Sequence, residues 1–244
     1  VIDLADGDPT KGNLVIGSPL AIAMAARGFA RWGLGHPDWH DDCERARALA
    51  KEVDPLSHSI VIGYNYLPAI VAGVLLPTDD VLRDILDALH IVEKTGDDFG
   101  LAMVKASLGL ALVNRADGAE RAQGLVVLAE VRAMCLQGYY TLTELPVIEA
   151  FAAREQARAG DLDGALAVMR AAVDDLHRMG CVGWCNPTTR VLVETLVERA
   201  SESDLREAQS AVDRIATGPD DAGVAMRNTV VLRCRALVAG ARGD

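Results

Sequence analysis

Between residues 158 and 176 the chain reads RAGDLDGALAVMRAAVDDL. Apolar side chains fall at Leu162, Ala165, Leu166, Met169, Ala172, Val173 and Leu176, with Asp163, Arg170 and Asp174 opposite them. Steps of three and four place the apolar set on one stripe of a helix. Gly160-Asp161 interrupts the helical pattern before it, so the segment predicts a helix, a tight corner and a second helix. Comparable breaks recur at Gly35, between Gly73 and Pro77, at Asp117-Gly118, near Ser201 and at Gly243-Asp244. They are about 38 to 44 residues apart, and a period near 42 is that of stacked helical hairpins.

The same periodicity predicts eleven helices, at 19–34, 40–52, 56–75, 79–94, 98–115, 119–136, 143–159, 162–179, 187–200, 203–216 and 221–241. Ser18-Pro19 and Asn186-Pro187 each place a capping side chain before a proline at the first helical position. Thr78 with Asp79 and Asp80, Asp97-Asp98, and Asp220-Asp221 bring acceptors and negative charge to helix N-termini. Pro68 lies inside a predicted helix and either bends it or divides it.

The hairpin around Gly160 fits the tetratricopeptide pattern, which wants a glycine at the corner and small residues where paired helices touch, here Ala165 and Ala172. Gly28 and Gly35, Ala50 before Pro55, and the Leu108-Gly109 pair match it in part. The expected fold is all-α: a right-handed α-α superhelix of about five and a half tetratricopeptide-like hairpins. The whole of 1–244 forms one domain in this reading, with 1–17 a loop or the end of a preceding repeat. A non-repetitive helical bundle is the alternative.

Composition agrees. Half of the chain is hydrophobic and only 4% aromatic, and the apolar residues are mainly Ala, Leu and Val, which favour helices that approach closely. A net charge of −11 opposes binding to a nucleic-acid backbone or an anionic membrane surface. The uncharged run from Ile60 to Leu76 is short for a bilayer crossing and contains Asn65 and Pro68, so it reads as a buried helix. Cys43, Cys135, Cys181, Cys185 and Cys234 are odd in number and mostly in apolar helical contexts, as expected of reduced core residues of a cytoplasmic protein.

Candidate chemistry is sparse. His177, Cys181 and Cys185 have the spacing of zinc ligands on one helix face, but Gly180, Gly183 and Pro187 interrupt that helix and no fourth ligand is near in sequence. DLDG (161–164) lacks the later glutamate of a calcium loop and reads as a corner. GDPTKGN (7–13) lacks the spacing of a phosphate loop. No cofactor site and no catalytic residue is expected. Trp32, Trp39, Tyr64, Tyr66, Tyr139, Tyr140 and Trp184 are a large share of a scarce class, mostly near helix ends. Stacked hairpins curve around a groove that can present such residues to a partner. The candidate groove contacts are Trp32, Tyr64, Asn65, Tyr139, Tyr140, Trp184 and Arg190, with His58 as a further polar member. The competing reading is that the aromatics fill gaps between Ala-rich helices.

Several segments together carry a resemblance: VIDLADGDPTKGN, GSPLAIAMAARGFARWGLGHPDWHDD, LGLALVNR, LTELPVIEAFAAREQARAGDLDGA, VLVETLVERA and LRCRALVAGARGD. They resemble the C-terminal helical-repeat region of actinobacterial, notably mycobacterial, multidomain adenylate/guanylate cyclases with an ATPase module of the AAA type. The resemblance covers nearly the whole chain and transfers no catalytic residue. The cyclase's metal-binding aspartates and the ATPase's phosphate loop have no counterpart here. It implies a piece of a longer polypeptide, an expectation that the start at Val1 and the stop after ARGD also prompt.

The leading expectation is therefore a non-catalytic regulatory arm of a class III nucleotide cyclase. Its partners would be another protein or the parent's own cyclase and ATPase modules, with no nucleic acid and no membrane. The alternative is a sensor domain that holds a small-molecule effector in the concave groove. A third reading, an enzyme on an α/α scaffold, requires a pocket with convergent titratable residues.

Overall fold

The computed structural model describes residues 1–13, 17–217 and 225–243. These form twelve α-helices, and no strand occurs among the described residues. The all-α expectation holds. The chain divides into two compact units, Val1–Tyr140 and Thr141–Asp244.

The first unit contains α1 (Ile2–Ala5), α2 (Pro19–Leu34), α3 (Trp39–Val53), α4 (Pro55–Val71), α5 (Asp79–Val92), α6 (Asp98–Val113) and α7 (Gly118–Leu136). Their starts are chemically marked. Ser18 caps α2 by accepting from the Ala21 N–H at 3.3 Å, ahead of Pro19. Asp54 caps α4 through the Ser57 N–H at 2.8 Å, ahead of Pro55. Thr78 caps α5 and Asp117 caps α7. Asp97 sits before α6, but its side chain makes no cap bond. The break at Gly35 is a left-handed C-cap whose N–H donates to Trp32 O at 3.0 Å. In 1–17, the one-turn helix α1 buries Ala5 beside Leu20, Met24 and Ala46.

Neighbouring helices pair as α2 with α3, α4 with α5, and α6 with α7. The alternate helices also pack in series, α2 on α4 and α4 on α6. Helix α4 therefore has neighbours on most sides, which is why Ile60 to Val71 is apolar almost throughout and, apart from Tyr64, buried there. It ends at Val71 rather than near 75, because Gly73 adopts a left-handed conformation (φ 73°) and Val74 and Leu75 turn their N–H groups back to Ala69 O. Pro68 neither divides nor ends the helix. It lies in the last turn, within the continuous helix.

The second unit holds α8 (Leu145–Arg158), α9 (Leu162–Arg178), α10 (Val182–Arg199), α11 (Glu202–Ala216) and α12 (Ala225–Arg242). The hairpin α8/α9 turns at Gly160 (φ 103°), and Ala165 and Ala172 are buried in it as packing residues. Asp161 caps α9 through the Gly164 N–H at 2.9 Å, and Gln156 Nε2 donates to it at 2.5 Å. DLDG is thus a capped corner. Its other acid, Asp163, pairs with Arg199.

Helix α10 corrects the expectation of a start at Pro187. The helix begins at Val182, and the Trp184 and Cys185 N–H groups both donate to Cys181 O. Pro187 lies inside the helix, and Asn186 is a buried helical residue rather than a cap. Ser201 and Asp204 form a capping box at the start of α11. Here too the alternate helices pack in series, α8 on α10 and α10 on α12. The expected cap at Asp220-Asp221 and the final Asp244 lie outside the described residues.

Candidate functional site

Three of the predicted groove residues come together in the first unit. Trp32 on α2 and Tyr64 and Asn65 on α4 line one crevice with Gly28, Trp39 and Cys43. The helices approach closely here because Gly28 has no side chain: a Cβ on it would lie 2.8 Å from Cys43 Sγ and 3.2 Å from Trp39 O. Asn65 Nδ2 donates to Cys43 O at 3.0 Å, while its buried Oδ1 has no protein partner. Trp32 is buried and lies 5.6 Å from the Phe29 ring. The space left is about 10 Å³, scarcely enough for one water. Of the three predicted residues, only Tyr64, 39% exposed, offers surface to a partner.

The remaining predicted residues do not join this group. Tyr139 and Tyr140 follow α7 at a left-handed Gly138 and diverge: Tyr139 is 47% exposed, whereas Tyr140 is buried against Phe99 of α6, ring to ring at 5.6 Å. Trp184 and Arg190 belong to α10 of the second unit. Arg190 is buried, with its Nη1 donating to both carboxylate oxygens of Glu194 at 2.9 and 3.0 Å. Arg233 of α12 reaches the same Glu194 at 2.9 Å. Arg154 lies over the Phe151 ring at 4.9 Å, and burial, reinforced by the charges of Arg158 and Arg190, pushes its guanidinium down to about 10. His177 Nδ1 faces Val173 O at 2.8 Å, Cys181 sits at the corner, and Cys185 is buried in α10.

A second concavity involves residues that the sequence did not single out, apart from His58. Helices α3, α4 and α5 enclose a polar cleft of about 220 Å³. Helix α3 contributes Glu44, Arg47 and Lys51, helix α4 contributes His58 and Ile62, and helix α5 contributes Asp84 and Asp87. Each set follows helical spacing of three, four or seven, which is the one signal in the sequence that could have grouped them.

Arg47 lies over the Tyr66 ring at 5.3 Å, and its Nε is 3.9 Å from Asp84, too far for a hydrogen bond. Asp84 is instead held by the Tyr66 hydroxyl, which donates to it. Burial, and then this bond, raise the Tyr66 pKa well above the usual phenol range. His58 is 5% exposed, and its Nδ1 is buried without a hydrogen-bond partner. Burial and the nearby Lys51 charge lower its pKa, so the ring is neutral at pH 7.

These features define an all-helical protein with a narrow aromatic crevice and a larger polar cleft in its first unit. No protein-family model, curated protein or solved structure gives a significant match to the chain. No cluster of three or more His, Cys, Asp or Glu suited to a metal ion occurs among the described residues. No helix among them is long and apolar enough to cross a membrane.

Proposed function

We propose that this chain is a non-catalytic helical-repeat arm of a multidomain class III adenylate cyclase. In this reading it forms a right-handed superhelix of about five and a half tetratricopeptide-like hairpins. It couples contacts with a partner protein, or with the parent's own ATPase and cyclase modules, to cyclic-nucleotide synthesis.

The observation that carries the reading is the order of helix packing. In each unit the alternate helices touch in series, α2–α4–α6 and α8–α10–α12, while the helices between them pack on these flanking partners. This order supports a repeat array, in which each hairpin buries its apolar face against the next. Gly160, Ala165 and Ala172 occupy the corner and small-residue positions of such a unit. The segments resembling the cyclase family add the parent. Exposed Tyr64 and Tyr139 offer partner contacts. The crevice at Trp32, Tyr64 and Asn65 has space for little more than one water, which favours this reading over a metabolite held at those three residues.

The test is a parent protein assayed with and without this region. Deletion should change cyclase output, its response to ATP, or its assembly state. A parent reading frame without a cyclase domain, or activity and assembly untouched by the deletion, overturns the proposal.

A further inference from the structure

The polar cleft between α3, α4 and α5 is charged on both sides. On α3, Arg47 makes no hydrogen bond, with only a loose 3.9 Å ion pair from its Nε to Asp84, and Lys51 makes no ion pair among the described residues. On α5, Asp87 has no ion pair among the described residues, and Asp84 is fixed in place by Tyr66. His58 of α4 lines the same cleft, and its buried Nδ1 has no hydrogen-bond partner in the protein. The charges belong to two helices, α3 and α5, and with His58 of α4 they line one space.

We propose that this cleft binds a small zwitterion, a free α-amino acid, with its carboxylate toward Arg47 and Lys51 and its ammonium toward Asp84 and Asp87. A dianion such as a phosphate ester would meet Glu44, Asp84 and Asp87, and a polycation would meet Arg47 and Lys51. A molecule with one charge of each sign satisfies both walls. The volume of about 220 Å³ lies below the roughly 300 Å³ at which pockets for drug-sized ligands begin, so the occupant is of amino-acid size. Arg47 is preorganised, since the Tyr66 ring supports its guanidinium and leaves the N–H groups available for a planar carboxylate. His58 adds an imidazole to the lining of the cleft. The inference is independent of the proposed cyclase role, because it concerns binding by this chain alone.

The experiment is calorimetric titration and thermal-shift measurement of the whole chain with each free α-amino acid at pH 7. Each ligand is paired with its N-acetyl and carboxamide derivatives, which lack one charge. At least one free amino acid should bind, and deleting either of its charges should weaken binding roughly tenfold or more. Lys51→Gln and Asp87→Asn alter exposed side chains, so each should keep the unliganded melting temperature and weaken binding roughly tenfold. His58→Gln should weaken it as well. No heat and no shift with any amino acid up to about 10 mM overturns the proposal. So does binding that ignores both Lys51→Gln and Asp87→Asn, or that favours the singly charged derivatives or a peptide. None of these outcomes bears on whether deletion of the region alters a parent cyclase.

Discussion

Asp42 receives both arms of the Arg27 guanidinium, at 2.8 Å from Nε and 2.6 Å from Nη2, and a third hydrogen bond from Arg31 Nη1 at 2.9 Å. The carboxylate on α3 thus bridges two arginines one turn apart on α2, beside the glycine that lets the two helices meet. Its side chain is only 4% exposed, so the three bonds must satisfy nearly all of its charge.

Asp42→Asn should therefore cost about 2–3 kcal/mol, read as a lower urea midpoint for the first unit. The Arg27 hydrogen bonds, and then the Arg27 and Arg31 charges, hold the Asp42 pKa below the ordinary 3.8 against the opposing effect of burial. A carboxylate depressed on folding contributes fully above its unfolded pKa and loses that contribution as pH falls through the folded value. The stability difference between the native chain and Asp42→Asn should be constant near neutrality and shrink only in strong acid. A difference that shrinks between pH 7 and 5 would refute this assignment.

Gly124 of α7 faces α6 so closely that an added Cβ would lie 2.9 Å from both the Val113 nitrogen and Leu112 Cβ. Backbone cannot yield as a flexible side chain can. Gly124→Ala should destabilise by about 1–3 kcal/mol, although alanine is the better helix former by about 1 kcal/mol. Gly33, with nothing within 4 Å of an added Cβ, is the matched control. Gly33→Ala should leave stability equal or raise it by about 0.5 kcal/mol. Thermal melts should fall for Gly124→Ala and hold or rise for Gly33→Ala.

Asp161→Ala removes the cap of α9 and should cost about 1 kcal/mol. Because DLDG is a corner, millimolar calcium should leave the melting temperature of the native chain unchanged. A calcium-dependent rise that Asp161→Ala abolishes would restore the loop as an ion site.

None of the five cysteines forms a disulfide. Burial pushes the thiols of Cys43, Cys185 and Cys234 up to about 11, which suppresses the reactive thiolate at neutral pH. Cys181, partly exposed at the α9–α10 corner, should be the first to react with a thiol reagent. Mass spectrometry after brief native alkylation should find the label there, and at the buried positions only after denaturation.

The helices and most corners were legible in the sequence because their causes are local. Apolar residues three and four apart marked the buried stripes, and Ser18, Thr78 and Gly160 marked starts and turns using atoms within a few residues of themselves. The errors were local competitions decided elsewhere. Asn186-Pro187 reads as a helix start, yet α10 begins at Val182 and carries the proline within it. Gly73 cut α4 short of the apolar run that continues past it.

The candidate site followed the same division. Trp32, Tyr64 and Asn65 were named from type and placement, and the fold gathers them, but into a crevice that closes around Gly28. Tyr140 turned inward, and Trp184 and Arg190 belong to the other unit. The polar cleft was not legible. Arg47, His58 and Asp87 are each unremarkable on their own helix, where periodicity reports only that a face is polar. The sequence by itself determined that there would be apolar stripes, polar faces and capped corners, since those depend on neighbours within one or two turns. Only the tertiary structure decided which polar faces meet, because that depends on helix lengths, corner conformations and the close approaches that individual glycines permit.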